Sequence, residues 1–395
     1  MQILVTVAKG LEGVVREELR SLGLKPEEAG PGVVGFSGSM ADAYRANLWL
    51  RAARRVLLPL GSFEVKSGED LYSGALALPW HRALSAGRTF AVEASVRDSA
   101  ITHSGYAALK VKDAVADALR ERLGSRPDVD RRNPDVQVVV HLAGGTCTVS
   151  LDSSGGPLHK RGYRERSVAA PLNETLAAGM LLLMGYDGSA PFADPFCGSG
   201  TICVEAALIA TRTAPGLLRK RPFGFQRWAG FEERIWKRQV EEARSSVRPA
   251  PSPIVGGDAD ASAIRAAQAN AEAAGVGRCV HFRRADVSGF RPPAGPGLLI
   301  TNPPYGDHAG AGEDLAPLYQ GLGDVLKQRF AGWRAAVLTG NTALAKRVGL
   351  HPSRKIPLFN GPMECRLLVF ELYEGSRKDG HSETGRQGDG EIEKI

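Results

Sequence analysis

Leu298-Leu299-Ile300-Thr301-Asn302-Pro303-Pro304-Tyr305-Gly306 is the stretch that decides the fold. Its apolar start, Leu298 to Ile300, has the character of a buried parallel strand. Pro303 and Pro304 end that strand, because a proline has no N–H to give the ladder. The chain therefore turns at the carboxyl end of a strand, where open α/β sheets hold their ligands. The Asn302 side-chain oxygen and the Pro303 carbonyl are two acceptors aimed at one point. A flat NH2 group, with two donors at a set angle, fits such a pair. Tyr305 adds a ring on which a planar base can stack. A plainer reading of the same residues is a strand-ending turn whose Asn only satisfies backbone groups.

The first reading suits methylation of an exocyclic amine. The lone pair of such a nitrogen is delocalised into its ring. Acceptors on both N–H bonds return electron density to nitrogen, so the proton can leave after attack and no strong base is needed. Asn302-Pro303-Pro304-Tyr305 resembles the signature of S-adenosylmethionine-dependent amino-methyltransferases. That resemblance makes these four the expected catalytic turn.

Upstream, Phe192-Ala193-Asp194-Pro195-Phe196-Cys197-Gly198-Ser199-Gly200-Thr201 runs into the helical segment Ile202 to Ala210. Strand, glycine-rich turn and helix together make a nucleotide-loop arrangement. Gly198 and Gly200 tolerate positive φ and close approach of backbone to a ligand. The spacing is neither the phosphate-binding GxxxxGK[ST] nor a full GxGxxG, which favours a ligand without phosphate. Asp194 offers an acceptor to an ammonium group. Ile254 to Asp258 is a further strand ending in an acid suited to two ribose hydroxyls, while Asp260 reads as a helix cap. The loop closely resembles the first cofactor motif of the methyltransferase class. The resemblance implies S-adenosyl-L-methionine at Asp194, Pro195, Phe196, Cys197, Gly198, Ser199, Gly200, Thr201, Asp258, Ala259, Asp286, Val287 and Asn302, with adenine at Asp286. Asn173, Glu174 and Thr175, opening a helix that ends near Met184, complete the expected cofactor set.

The front of the chain is different. Residues 1–65 alternate strand and helix in the manner of a ferredoxin-like unit. Residues 66–155 form a second small α/β unit crowded with Lys110, Lys112, Arg131 and Arg132. Gly105 to Ala114, Val129-Asp130-Arg131 and the closing hairpin through Ala143-Gly144-Gly145 resemble a THUMP domain, which implies RNA binding. A solvated charged face is the plainer alternative. The basic segment 156–170 follows, with Lys160, Arg161, Tyr163 and Arg164; it reads as a linker, as a path for RNA, or as both. Arg219-Lys220-Arg221-Pro222-Phe223-Gly224-Phe225-Gln226-Arg227-Trp228 interleaves cations with rings. It reads either as a loop packing its aromatics or as an RNA contact through Arg219, Arg221, Phe223, Arg227 and Trp228.

Composition is consistent with this division. The chain has 395 residues, 43% hydrophobic and 24% charged, with a net charge of +7 that favours a polyanionic partner. Its length calls for two to three domains. No apolar run is long enough for a membrane span, and the start reads as a strand rather than a signal peptide. Five cysteines without a CxxC pair point to reduced thiols, a cytoplasmic setting and no metal; a monomer is expected. Residues 171–375 are expected to form a Rossmann-like seven-stranded methyltransferase domain, with segment 307–314 as a lid and 376–395 as a disordered tail.

Taken over residues 1 to about 373, the chain resembles the N-terminal methyltransferase half of bacterial 23S ribosomal RNA guanine-N2 methyltransferases of the RlmL type. That likeness implies N2-methylguanosine as product. Guanine-N2 methylation in the tRNA acceptor stem, adenine-N6 methylation, glutamine methylation and non-catalytic RNA binding stand as alternatives. The motifs alone do not separate the bases.

Overall fold

The computed structural model describes residues 1–82, 84–85, 87–124, 127–166, 172–305 and 314–373. Most of the expected lid, part of the linker and the tail lie outside the described residues.

Among these, two sheets of seven strands organise the chain. The first contains β1 (Gln2–Val7), β2 (Pro26–Glu28), β3 (Val33–Ser37), β4 (Ala53–Glu64), β5 (Phe90–Arg97), β6 (Val136–Ala143) and β7 (Thr146–Asp152), in the order β2-β3-β1-β4-β7-β6-β5. Alternation sets its inner face: Ile3, Val5 and Val7 of β1 are buried. Helices α1 (Glu12–Ser21), α2 (Met40–Trp49), α3 (Gly68–Leu76) and α4 (Ser104–Leu123) accompany this sheet. Strand β4 is longer than its apolar run suggests. Its first part pairs with β1 and its second with β7, so the ferredoxin-like and THUMP-like parts share one continuous sheet. Pro59 is accommodated in mid-strand because the register shifts between Pro59 and Gly61.

The second sheet contains β8 (Phe192–Asp194), β9 (Ile254–Asp258), β10 (Val280–Arg284), β11 (Leu298–Thr301), β12 (Arg334–Thr339), β13 (Arg354–Asn360) and β14 (Met363–Glu371). Their order is β10-β9-β8-β11-β12-β14-β13. The first five are parallel, β14 is antiparallel to β12, and β13 is antiparallel to β14. The strand order reverses between β8 and β11, which makes their carboxyl ends a topological switch point. Helices α5 (Glu174–Leu183) and α6 (Thr201–Ala210), both largely buried, α7 (Glu233–Ser245), α8 (Ala261–Ala273), α9 (Ala316–Arg329) and α10 (Thr342–Arg347) complete this part.

The basic segment after β7 joins the two parts through buried polar groups. Ser154 donates to the Asn47 amide oxygen at 2.7 Å, and the Leu158 N–H to the Arg54 carbonyl at 2.8 Å. Arg161 is 2% exposed, lies 3.5 Å from the Glu205 carboxylate, and also donates to the carbonyls of Leu158 and Arg51. The Tyr163 hydroxyl donates to Glu205 at 3.1 Å. Arg51 caps the same cluster by donating to the Thr213 carbonyl, and Glu18 accepts from the Arg51 and Ala52 amides. Burial pushes the Glu18 and Glu205 carboxyls up, with Arg51 and Arg161 opposing it. Arg161 and Tyr163 are therefore not RNA contacts, as their sequence setting suggested. A buried carboxylate on α6 recruits both into the core, because it cannot stay charged there without partners.

Removing one partner should expose that cost. Arg161→Met leaves Glu205 without its ion pair and should destabilise the protein by about 3–5 kcal/mol, whereas Arg161→Met with Glu205→Leu should recover part of the loss. Thermal melts of the parent and both variants measure this; a double variant no more stable than the single one would contradict it.

Candidate active site

The switch point opens into a cavity of about 870 Å³. Its wall includes Asp194, Pro195, Phe196, Cys197, Gly198, Ser199 and Thr201 from the loop after β8. It also includes Asp258, Ala259 and Asp260 after β9, Asp286 and Val287 after β10, and Asn302 to Tyr305 after β11. These loops meet because parallel strands deliver all their carboxyl ends to one edge of the sheet.

Local hydrogen bonds fix each group. Asp194 Oδ1 accepts from Thr301 Oγ1 at 2.6 Å and from the Phe196 N–H at 3.1 Å, while Oδ2 is buried without a partner. Burial, reinforced by Asp258, pushes the Asp194 carboxyl up to about 7, against the Thr301 and Phe196 hydrogen bonds. Asp258 Oδ2 accepts from the Gly198 N–H at 3.0 Å and Oδ1 from the Asp260 N–H, so this acid holds the glycine loop in place. Asp260 caps α8 by accepting from the Ser262 N–H. Asp286 accepts from Gly289 N–H and Ser288, which hold its carboxyl below the usual range.

The catalytic-turn candidate has one unpaired acceptor as well. Asn302 Oδ1 is buried without a partner. Tyr305 is 9% exposed, and its hydroxyl lies 3.4 Å from Cys365 Sγ. Most of its ring is thus packed inward, with a limited part at the cavity wall. From the far side, the Tyr319 hydroxyl donates to the Pro304 carbonyl at 3.3 Å.

Some expected residues are absent from this wall. Gly200 sits beneath the loop at φ 81°, where an added Cβ would lie 2.9 Å from Ala267 Cβ; close packing on α8 demands glycine there. Asn173 caps α5, accepting from the Thr175 N–H and hydroxyl, and Glu174 pairs with Arg164 at 2.8 Å. These three are held by capping and ion pairing rather than facing the cavity.

A second cavity of about 880 Å³ lies between the two sheets' loops. Ten Lys or Arg line it against two acids, Asp135 and Glu174, so its surface attracts polyanions. It shares Leu172 and Asn360 with the wall of the first cavity, so the two adjoin. Arg131, Arg132, Lys160 and Arg221 are exposed within it. Other candidates serve the fold. Arg164 donates to Glu174, Leu172 and Thr201, bracing the start of α6. Arg219 donates to the Ser154 and Pro157 carbonyls and lies 4.8 Å from the Phe223 ring centroid; burial lowers it to about 10. Phe223 is 2% exposed and stacks on Phe225, which meets Tyr44 of α2, so it is a core ring and not a base platform. Trp228 is half-buried, its indole nitrogen enclosed. Arg227 bridges to Asn133 and the Pro134 carbonyl. Lys110 lies against the Tyr72 and Tyr106 rings and Lys112 beside Asp113, both away from the cleft wall.

Three family profiles cover the chain. An RlmL ferredoxin-like domain matches residues 2–57, a THUMP domain 65–152, and an RMKL-like methyltransferase domain 161–368. The slr0064 protein of Synechocystis sp., provisionally named an RNA methyltransferase, is 41% identical over 93% of this chain and 96% of its own length. The chain belongs to the RMKL-like methyltransferase family. The ribosomal RNA large subunit methyltransferase K/L of Syntrophotalea carbinolica is 43% identical over 95% of this chain, which spans 54% of that relative. Among solved structures, SMU.472, provisionally named a methyltransferase and complexed with S-adenosylhomocysteine, superposes with a TM-score of 0.85. It is 30% identical, with 95% of this chain and 99% of that one covered. Among the described residues, no helix is long and apolar enough to cross a membrane.

Thr301, Tyr319 and Asn360 were not among the sequence candidates. Thr301 carried a signal, a hydroxyl at the end of an apolar strand; the other two act across the fold and carry none.

The raised Asp194 carboxyl has a measurable consequence. An acid whose folded pKa exceeds its unfolded value stabilises the fold fully below the unfolded value, and that contribution is lost as pH rises towards the folded one. Between pH 5 and pH 8, Asp194→Asn should therefore gain about 2–3 kcal/mol of stability relative to the parent. Paired melts at the two pH values test this, and a difference independent of pH would contradict the buried-carboxyl account.

Proposed function

We propose that this chain methylates the exocyclic N2 amine of a guanosine in large-subunit ribosomal RNA, using S-adenosyl-L-methionine. The observation that carries the reading is the pair of buried acceptors without partners, Asp194 Oδ2 and Asn302 Oδ1, on one cavity that adjoins a basic cleft.

The residues present fit this donor. Asp194 matches its ammonium group, Asp258 its ribose hydroxyls and Asp286 its adenine, with the Gly198 loop approaching closely. When bound, it supplies an electrophilic methyl carbon on a positively charged sulfur. Asn302 Oδ1 and the Pro303 carbonyl accept from the two N–H bonds of the target amine and orient its lone pair. The Thr301–Asp194 hydrogen bond keeps the two acceptors in register. No strong base is needed, because the proton leaves after the bond has formed.

The cleft suits RNA as the substrate. Exposed Arg131, Arg132, Lys160 and Arg221 match phosphates, whose contacts make binding fall with salt. A guanine in a helix hides its amine in the minor groove, so the target is extruded or already unpaired on reaching the cavity. The choice of guanine over adenine rests on the whole-chain resemblance to guanine-N2 methyltransferases drawn from the sequence, not on the turn; the kinship with the large-subunit methyltransferases supports the RNA and names no base.

The direct check is to incubate the protein with a labelled methyl donor and either unmodified 23S ribosomal RNA or unmodified tRNA, then digest and identify the product. N2-methylguanosine from the 23S RNA is expected. N6-methyladenosine would overturn the base assignment, and N2-methylguanosine from tRNA alone would move the substrate.

A further inference from the structure

Two segments far apart in sequence line the basic cleft from different halves of the chain. The bend at 131–135 leads into β6 of the first sheet and carries Arg131 and Arg132, while segment 219–227 belongs to the methyltransferase part. The ends of the bend are tied within the first sheet. The Asp130 N–H donates to the Phe90 carbonyl and the Val136 N–H to the Thr89 carbonyl, both at 3.1 Å. Asp130 Oδ1 accepts from the Arg132 and Asn133 N–H groups at 2.8 and 3.1 Å, which curls the chain between those ends.

The middle of the bend is held from the other half. Arg227 Nη1 donates to the Pro134 carbonyl at 3.0 Å and to the Asn133 carbonyl at 3.4 Å, and Nη2 donates to Asn133 Oδ1 at 2.9 Å. Arg227 is itself anchored. It ends the short 3-10 helix Gly224–Arg227, whose Phe225 N–H donates to the Ser153 carbonyl at 3.1 Å. Gly155, at φ 64°, lies so close to this helix that an added Cβ would be 2.5 Å from the Gly224 nitrogen. A guanidinium is a planar fork, so three acceptors within its reach fix a direction as well as a distance.

We infer that Arg227 is a positioning residue for RNA: it holds the bend so that Arg131 and Arg132 meet the phosphates of a strand in the cleft. This rests on the proposed RNA-methyltransferase reading. Arg227 acts through the bend, because both of its terminal nitrogens donate to Asn133 and Pro134. Two long cations on a bend already held in place lose less freedom on binding than two on a free loop. More of the phosphate attraction then appears as affinity. The methyltransferase part thus shapes the RNA surface of the N-terminal part.

The test compares four full-length chains: the parent, Arg227→Ala, the double variant Arg131→Ala with Arg132→Ala, and the triple variant carrying all three changes. Affinity for an unmodified 23S ribosomal RNA transcript is measured by filter binding over a salt series, and S-adenosylhomocysteine affinity by calorimetry. Arg227→Ala should raise the RNA Kd about 5- to 20-fold and make its salt dependence shallower. The triple variant should bind RNA within about twofold of the double, since Arg227 has nothing left to position. S-adenosylhomocysteine affinity should stay within about twofold of the parent throughout, which also shows that each variant is folded. Parent-like RNA affinity in Arg227→Ala would overturn the inference. So would a triple variant weaker than the double by the full Arg227→Ala factor, which would make Arg227 a phosphate contact in its own right. Loss of S-adenosylhomocysteine affinity in Arg227→Ala would reduce the residue to a fold contact and overturn it too. Failure of the parent itself to bind RNA would instead overturn the proposed function, and the inference with it.

Discussion

A hydrogen bond of 2.6 Å from Thr301 to Asp194 joins the ends of the two strands between which the sheet reverses. It fixes the carboxyl group in one orientation and uses only one of its oxygens. The other oxygen stays buried without a partner, as does the side-chain oxygen of the next residue after Thr301. Leaving two such groups unsatisfied costs stability, of order 1–3 kcal/mol each. Both residues line one cavity wall, and on the proposed reading they accept from donors that arrive from outside. The elevated Asp194 carboxyl follows from the same constraint, since a charge held there has lost its water without gaining a full set of partners.

The front of the molecule is joined to this site by buried ion pairs as well as by apolar packing. Glu205 on α6 gathers Arg161 and Tyr163 from the connecting segment, and Arg51 and Glu18 extend the cluster to α1 and the turn before β4. Arg164 continues it to the start of α6, beside the glycine loop. The connecting segment is therefore a structural spine along one wall of the basic cleft. One of its exposed cations, Lys160, lines the cleft, while its buried Arg161 helps hold the wall in shape. On the proposed reading, such a wall sets the distance between an RNA strand in the cleft and the cavity, which orientation-dependent chemistry requires.

Much of the fold could be read from local pattern. The apolar run before Asn302 and the glycine turn after Asp194 each mark a strand end, because proline and glycine have few backbone options there. Parallel strands then bring those ends together without further information. The roles of the basic and aromatic residues were harder to read. Tyr163 meets a carboxylate 42 residues away on a helix with no local sign of the pairing. Phe223 stacks in a cluster that depends on Tyr44 from another sheet's helix. Charge and ring content in a segment report what it can touch, not which side faces solvent. Asn173 and Glu174 illustrate the same point, since a cap and an ion pair absorbed side chains whose position resembled a ligand set.

The central claim is that the cavity has two separable halves, one for the methyl donor and one for the amine. Comparing Asn302→Ala with Asp258→Ala tests it most directly, by calorimetry with S-adenosylhomocysteine and single-turnover methyl transfer to RNA. Asn302→Ala should bind S-adenosylhomocysteine like the parent and transfer methyl about 10²–10³ more slowly. Asp258→Ala should lose affinity by roughly 30- to 100-fold, the worth of charged hydrogen bonds of about 2–3 kcal/mol. Equal loss of affinity in both variants, or near-parent transfer by Asn302→Ala, would contradict the account.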